Sequence, residues 1–475
     1  MITFLIGLVI LVLGGAAYGK LCENVLKPDD RKTPAVAMRD DVDYVPMTKW
    51  KNSLIELLNI AGTGPILGPI QGILFGPIAF LTIPIGCVIG GAFHDYMSGM
   101  ISVRNNGEQM PDLVKRFLGK NVYYVYNVFV CLLLLLLGVV FIYTPGDLLV
   151  SQILGQESVA SNPTLWVVYG VIFLYYVAAT LFPIDKIIGK VYPVFGAILL
   201  MSAIGVFAGL FLKGYSLTEV WNASSSGFPY QKNFIPMFFV TVTCGICSGF
   251  HSTQATLVSR TISDEKEGRT TFYNMMIVEG FIAMTWAAAA MGALHNGLAS
   301  ADQLGNSATL VVGLIAKDML GTIGGIIAII GVIVLPITSG DTALRSLRLI
   351  IADALHIDQT KKKKALLLAL CIFTVVALLL FWAKGNPAGF NIIWRYFSWA
   401  NETTVVFAFA MIAVFMKKNN MPQIMSIIPG TFYMYVTCTY ILNAQIGFNL
   451  PWIVSYIVAG ILSCVYIALV RRVHN

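Results

Sequence analysis

Long apolar runs follow one another along nearly the whole chain. A bilayer core about 30 Å thick is crossed by an α-helix of about 20 mostly apolar residues, and the runs have about this length. The pattern therefore predicts an all-α polytopic membrane protein with about thirteen transmembrane helices. The predicted segments are 1–19, 54–75, 77–103, 121–143, 163–182, 191–212, 234–257, 271–294, 319–339, 365–383, 391–415, 423–442 and 450–470.

The first segment could be read as a cleaved signal peptide or as a retained helix. It lacks a basic stretch at its start, and it ends in Tyr18-Gly19-Lys20 without a small-x-small cleavage site. A secretory signal carries both features. We therefore expect a retained transmembrane helix.

The lysines and arginines predict the orientation. Of the 31, the odd-numbered loops and the C-terminal tail hold 26 and the even-numbered loops hold 4, while Arg395 lies inside a segment. Cytoplasmic loops collect positive charge, so the N-terminus is expected outside the cell and the C-terminus in the cytoplasm. A missed helix would scramble this alternation, so the charges also favour thirteen segments.

Composition narrows the function classes. The chain is 57% hydrophobic and 12% charged, with a net charge of +7 that collects in the loops. Such clusters are typical of orientation signals beside anionic lipid, so we expect contact with the bilayer and none with nucleic acid. The eight cysteines lie almost all in apolar runs, which speaks against disulfides, and even the close pair Cys244 and Cys247 lacks a redox or zinc context. No metal and no cofactor is expected.

The second segment carries helix-breaking residues near its middle. Residues 62–69 include three glycines and two prolines. Pro65 lacks an N–H group and suits the first turn of a new helix. We expect unwinding at residues 61–64, followed by a half-helix. Free backbone groups at membrane depth are tolerated only where they line a cavity or are buried in protein.

The seventh segment has a second interruption, around Gly245 and Gly249. It lies five segments after the first and enters the membrane from the opposite side. Transporters built from inverted repeats place substrate at the midplane between two such broken helices. We therefore expect a five-plus-five inverted-repeat core. The predicted units are an N-terminal span and loop at 1–53, repeats at 54–213 and 234–415, and two C-terminal spans at 420–475.

The broken helices supply the predicted substrate site. A half-helix N-terminus presents partial positive charge and free N–H groups, so a substrate carboxylate is expected on the N–H groups from Gly64 to Leu67, with Ser248 and His251 facing it. The predicted substrate-binding residues are Gly62, Thr63, Gly64, Ile66, Leu67, Gly245, Ser248, Gly249 and His251.

Ionisable and amide residues inside apolar segments are candidates for ion coupling, because their burial is expensive. A buried carboxyl would suit a proton, and a carboxylate beside unwound carbonyls would suit sodium. Helix capping or pairing is an equally good interpretation for Asp95, Asp341 and Glu402. Arg395 lies two turns before Glu402, so its partner is expected to be Asp95 or an anionic substrate. The candidates are Glu56, Asn59, Asp95, Glu279, Asp341, Arg395 and Glu402.

Five short motifs occur in order along the chain. They are IAGTGPILGP at 60–69, GGAFHDY at 90–96, CGICSGFH at 244–251, SGDTALR at 339–345 and FNIIWRYF at 390–397. In these motifs the chain resembles the carbon starvation protein A (CstA) family of peptide transporters. The resemblance implies a relative of the amino acid, polyamine and organocation transporters with a LeuT-like core. It also implies uptake of peptides or pyruvate during nutrient limitation, by a multi-pass protein of a bacterial inner membrane.

The chain departs from the family pattern at two places. Ile55-Glu56 stands where many members have a His-His pair, and Asn401-Glu402 where many have Asn-Gln. Both changes would affect the coupling ion or the substrate. A membrane enzyme is a weaker interpretation because no metal-binding or nucleophile motif is present. A channel is the third alternative, and two broken helices in opposite orientations favour alternating access over an open pore.

Overall fold

The computed structural model describes residues 1–40, 43–181, 185–225, 228–230, 233–357 and 362–472, and most of them are helical. The long or interrupted helices are numbered here in chain order. They are α1 Ile2–Leu26, α2a Lys49–Ile60, α2b Gly64–Phe75, α3 Ala79–Arg104, α4 Lys120–Ile153, α5 Pro163–Leu181, α6 Asp185–Leu212, α7a Phe234–Thr241, α7b Thr243–Ile246, α7c Gly249–Val258, α8 Glu265–His295, α9 Ala308–Ala354, α10 Lys362–Gly385, α11 Gly389–Lys418, α12 Ile424–Asn443 and α13 Trp452–Arg472.

Helices occupy each of the thirteen predicted apolar segments. In the described part of the chain, ten are long and apolar enough to cross a membrane, or eleven when the bent pair α2a and α2b counts as one span. The other two positions hold α5, which is shorter, and α7, which is interrupted. The multi-pass architecture is confirmed, while thirteen crossings, their orientation, the repeat boundaries and the LeuT-like arrangement stay predictions.

The break in the second segment lies where the sequence predicts it. Helix α2a ends at Ile60, α2b begins at Gly64, and the two are bent by 49°. Pro65 stands in the first turn of α2b, where its missing N–H costs nothing. A further proline, Pro69, is accommodated inside this short helix.

The seventh segment is interrupted twice, not once. Val242 leaves the helical conformation between α7a and α7b, and Cys247 and Ser248 are extended between α7b and α7c. Residues 242–248 therefore form a short helical turn between two non-helical links. Glycine positions alone did not indicate this, because Gly245 lies inside the turn and not at a break.

Helix α9 extends well beyond the predicted segment 319–339 at both ends. Its 47 residues include Lys317 and Arg345, which the charge pattern assigned to loops, and Gly321 interrupts it with a φ of +69°. Hydropathy marks only the apolar part of a helix. Polar residues on either side of that part can continue the helix beyond the membrane. The ends of long helices are therefore poorly determined by the apolar pattern.

The end of the bundle predicted to be cytoplasmic is closed by polar contacts. Arg104 Nε donates to Glu265 Oε1 at 2.6 Å, and these side chains are 10% and 0% exposed. The loop after α1 lies across the same end, where the Asp29 N–H donates to Glu265 Oε2 at 2.8 Å and Thr33 Oγ1 donates to the Ile262 carbonyl at 2.6 Å. These contacts tie the loop after α1 to the end of α3, the start of α8 and the link between α7c and α8.

Candidate functional site

The two broken helices meet at small residues. A Cβ atom added at Gly64 would overlap Cys244 Cβ, and one added at Gly245 would lie 2.9 Å from Ala283 Cβ and 3.3 Å from Pro69 Cγ. Small residues let membrane helices approach closely. Gly64 and Gly245 are therefore required by the contact between α2b, α7b and α8.

The start of α2b offers fewer free donors than expected. The N–H groups of Ile66 and Leu67 donate to the Thr63 carbonyl at 3.2 and 2.9 Å, and both side chains are buried in the core. In this conformation the first turn of the helix already uses these two donors, so a substrate contact at Ile66 and Leu67 stays a prediction without a free N–H group. The N–H groups of Thr63 and Gly64 have no acceptor among the described residues, and Thr63 Oγ1 is buried without a partner.

The neighbouring Gly62 belongs to the turn that ends α2a. Its N–H donates to the Ile60 carbonyl at 2.8 Å, and an added Cβ would lie 3.2 Å from Phe141 Cζ. The backbone groups left at the break are therefore those of Thr63 and Gly64. This narrows the candidate anion contact to two adjacent N–H groups and one hydroxyl.

Ser248 and Gly249 are held by helix α11. Asn401 Nδ2 donates to Ser248 Oγ at 2.9 Å, and the Phe250 N–H donates to Asn401 Oδ1 at 2.8 Å. A Cβ at Gly249 would overlap Thr404 Oγ1. Asn401 thus caps the N-terminus of α7c, which places an uncharged amide beside the two broken helices.

The His251 side chain lies in a fully buried group of acids and histidines. His251 Nδ1 lies 3.1 Å from Asp95 Oδ2 and 3.6 Å from Glu279 Oε2, and His94 Nδ1 lies 2.7 Å from Asp95 Oδ1. Glu56 is close enough to interact electrostatically with Asp95 and Glu279. These five residues, here called the acid–histidine cluster, come from α2a, α3, α7c and α8, and all are at most 1% exposed.

The acid–histidine cluster has unused hydrogen-bonding capacity. Both carboxyl oxygens of Glu56 and of Glu279 lack a hydrogen-bond partner, as do the Nε2 atoms of His94 and His251. Three ionised carboxyls beside two neutral imidazoles would leave three uncompensated buried charges, each costing several kcal/mol. Protons bound by these side chains would remove that cost, and each oxygen of the Asp95 carboxyl already lies against a histidine Nδ1.

The remaining candidates lie elsewhere. Asp341 accepts hydrogen bonds from Tyr175 Oη at 3.0 Å and Thr342 Oγ1 at 2.9 Å, outside the cluster. Asn59 is half-buried on α2a. Glu402 is buried close enough to Cys244 and Cys247 to interact with them electrostatically. Neither of its carboxyl oxygens has a hydrogen-bond partner.

Arg395 does not pair with Asp95, which was one of its two expected partners. Its side chain is exposed in a cavity of about 740 Å³ at the end of the bundle opposite Glu265. The cavity is framed by the adjoining ends of α2b, α7a, α11 and α12. This is the end that the charge pattern places outside.

Sequence reasoning missed a buried ion pair between α4 and α10. Lys384 Nζ lies 2.8 Å from Asp147 Oδ2, and Tyr169 Oη donates to Asp147 Oδ1 at 2.5 Å. Both charged residues fall just beyond the apolar segments, so they look like loop residues in the sequence. Helices α4 and α10 continue through them, and only the three-dimensional contact between the helices reveals the pair.

The chain has the fold of a membrane transporter. Its structure matches a crystal structure of the Eremococcus coleocola manganese transporter in complex with an aromatic bis-isothiourea substituted compound, with a TM-score of 0.58 over 92% of this chain and 99% of the other. The sequences are 12% identical, so the likeness concerns the fold alone. In the described part of the chain, no three His, Cys, Asp or Glu side chains are grouped so as to hold a metal ion.

The chain belongs to the family described as Carbon starvation protein CstA, whose model matches residues 1–206 and 145–311. An uncharacterized membrane protein of Haemophilus influenzae is 41% identical over 350 residues, which are 64% of this chain and 94% of that protein. The peptide transporter CstA of Bacillus subtilis is 41% identical over 113 residues, 23% of this chain and 19% of that protein. Other peptide transporters of the family match over about half of their length or less. The expected family is thereby confirmed.

Proposed function

We propose that this protein is a secondary active transporter that imports small carboxylate-bearing nutrients, peptides or pyruvate, under carbon starvation. Several relatives are named peptide transporters, and the solved structures with the same fold include a transporter. Import is coupled to a cation, with the proton as the first candidate and sodium as the alternative. The substrate carboxylate contacts the free N–H groups of Thr63 and Gly64 at the start of α2b, where the helix dipole favours an anion.

The acid–histidine cluster is the observation that carries this proposal. Buried ionisable residues in membrane helices mark ion pathways and proton relays. His251 belongs to the cluster and lies one turn from Ser248 in the interrupted helix α7, so a movement of that helix alters both. A proton or cation gained by the cluster would therefore be linked to the state of the substrate site.

The two ends of the bundle fit one state of an alternating-access cycle. The end with Arg104 and Glu265 is closed by buried polar contacts, while the opposite end holds the cavity around Arg395. With the proposed orientation, the structure is open toward the outside. Release into the cytoplasm then requires the contacts of Glu265 to separate.

Uptake into proteoliposomes tests this function. Labelled pyruvate and a labelled dipeptide are each supplied with an imposed proton gradient or an imposed sodium gradient. We expect saturable accumulation of at least one substrate, driven by the proton gradient. Accumulation driven by sodium alone would assign the other cation, and failure of all four combinations would contradict the transporter proposal for these substrates.

Glu279 supplies a test of the coupling site. Glutamine keeps the shape of the side chain but can neither carry a proton nor balance a cation. We expect Glu279→Gln to lower gradient-driven accumulation at least tenfold while exchange of labelled for unlabelled substrate continues. The matched control is Glu157→Gln, which changes an exposed loop carboxylate. Gradient-driven accumulation equal to that of the control would rule out coupling through Glu279.

A further inference from the structure

The cavity at the end opposite Glu265 has the size of a ligand site. Its volume of about 740 Å³ lies within the range of about 300–1,000 Å³ typical of small-molecule pockets. Arg395 is the one charged side chain among the described residues that line it. The remaining polar groups are mainly amides, which include Gln71, Asn391, Asn443 and Asn449.

Arg395 is positioned to receive an anion. It lies six residues into α11, about 9 Å along the helix axis at 1.5 Å per residue, and a charge facing lipid at such depth would be costly. The side chain is exposed to the cavity, and no carboxylate among the described residues pairs with it. A guanidinium matches a carboxylate with two parallel hydrogen bonds.

A second, independent group points to a ligand. The Trp394 side chain lines the cavity, is 4% exposed, and its indole Nε1 has no hydrogen-bond partner. A buried donor left unpaired costs about 1–3 kcal/mol, which an incoming carbonyl oxygen would recover. Arg395 and Trp394 both line this cavity, so a carboxylate and a carbonyl of one molecule bound there can reach both.

We propose that this cavity is an outer substrate site that binds a short peptide before it reaches the broken helices. The peptide carboxylate binds Arg395, and a peptide carbonyl accepts a hydrogen bond from Trp394 Nε1. The surrounding amide side chains suit the polar backbone of a peptide, whereas a keto acid would leave most of the volume to water. The inference rests on the proposed transport function and assigns its substrate class and first binding step.

Side chains of α11 and α12 relate the cavity to the broken helices. Tyr440 on α12 lines the cavity and is within electrostatic range of both Arg395 and Glu402. Glu402 is in turn within range of Cys244, which contacts Gly64 at the start of α2b. Arg395 and Glu402 are seven residues apart on α11, about 10 Å along its axis, so a peptide held at Arg395 lies about two helical turns from Glu402.

Calorimetric binding to the purified full chain in lipid nanodiscs tests the outer site. The probes are alanyl-alanine, alanyl-alanine amide, which lacks the carboxylate, and pyruvate. We expect the wild-type protein to bind alanyl-alanine at least tenfold more tightly than either of the others. We expect Arg395→Gln to weaken alanyl-alanine binding at least tenfold, and Trp394→Phe to weaken it severalfold.

The controls separate this inference from a folding defect and from the transport function. Arg472→Gln removes an exposed arginine near the C-terminus and is expected to bind like the wild type, and the thermal unfolding midpoint of each variant is compared. In uptake assays, Arg395→Gln should raise the KM for alanyl-alanine with little change in maximal rate, because the acid–histidine cluster is intact.

Three results would overturn the outer site. The first is that the wild type takes up alanyl-alanine, while Arg395→Gln and Trp394→Phe both keep the wild-type binding affinity and KM for it. The second is equal binding of the dipeptide and its amide. The third is pyruvate binding in place of dipeptide binding. A wild-type protein that transports neither substrate under any gradient would instead contradict the proposed function itself.

Discussion

At the scale of single residues, Ser248 and His251 show how far neighbours in the sequence can diverge in role. They are three positions apart, yet Ser248 Oγ bonds to Asn401 and His251 Nδ1 lies against Asp95. One side chain helps to hold the interrupted helix against α11, and the other belongs to the acid–histidine cluster. The sequence pattern placed both on the substrate, because spacing along a helix indicates a shared region and not a shared partner.

Asn401 provides a prediction at this scale. Replacing it with alanine removes the acceptor of the Phe250 N–H and a partner of Ser248 Oγ, and both atoms are buried. An unsatisfied buried polar group costs about 1–3 kcal/mol, so Asn401→Ala should lower the thermal unfolding midpoint in detergent by several degrees. The control Asn121→Ala changes an exposed residue in the first turn of α4. Equal midpoints for the two variants would contradict the capping role.

At the scale of elements, the crossing of α2b and α7b depends on the absence of side chains. Gly68 lies against the backbone of α7a, where an added Cβ would be 2.9 Å from the Thr241 carbonyl oxygen, and Gly64 lies against Cys244. The helices that carry the candidate site therefore touch almost backbone to backbone. A bulky residue at Gly64 would displace α7b, so loss of uptake in such a variant would not by itself place substrate there.

A double substitution separates close contact from substrate binding at this crossing. Gly64→Ala should lower stability by about 1–3 kcal/mol, the usual cost of overpacking, because the new methyl group collides with Cys244 Cβ. Adding Cys244→Gly removes that atom, so the double variant should unfold close to Cys244→Gly alone. The control Gly62→Ala meets only the Phe141 ring, at 3.2 Å, and should be milder. If the double variant instead loses as much stability as the two single variants together, the collision is not the cause.

At the scale of the whole molecule, the two ends of the bundle differ. Glu265 is completely buried, and its carboxylate is shared by Arg104 and the Asp29 N–H, which draws the loop after α1 across the closed end. The opposite end keeps the cavity around Arg395. One conformation of a transporter would show this asymmetry, and the Glu265 contacts are then what must break before the other conformation forms.

Glu265→Gln should loosen the closed end. The variant leaves Arg104 without its buried counter-charge, and removing one partner of a buried pair costs about 3–5 kcal/mol. We expect faster deuterium uptake in the backbone of residues 27–37 and at the C-terminal end of α3, measured by hydrogen exchange. The control Glu108→Gln breaks an ion pair with Arg116 in which the arginine is half exposed, and such pairs contribute about 0–1 kcal/mol. Unchanged exchange in Glu265→Gln would exclude this role for the pair.

The sequence by itself determined the apolar helices, the family and the break before Pro65. These follow from local properties of the chain: hydrophobic length, the positions of glycine and proline, and short ordered motifs. It did not determine the double interruption of α7 or the extent of α9, because neither leaves a distinct apolar or charge signal. The sequence indicated most candidate site residues, because they are ionisable groups inside apolar segments. It did not indicate which residues they contact.

Only the tertiary structure decided which of these groups meet. His251 and Asp95 are 156 residues apart in the chain and 3.1 Å apart in space. Whether they face each other depends on how α3 and the interrupted helix α7 cross, and close contacts such as Gly91 against the Ile246 carbonyl of α7b fix this crossing. The same long-range geometry directs Arg395 into the outer cavity and Asn401 onto Ser248, and no local pattern in the sequence encodes it.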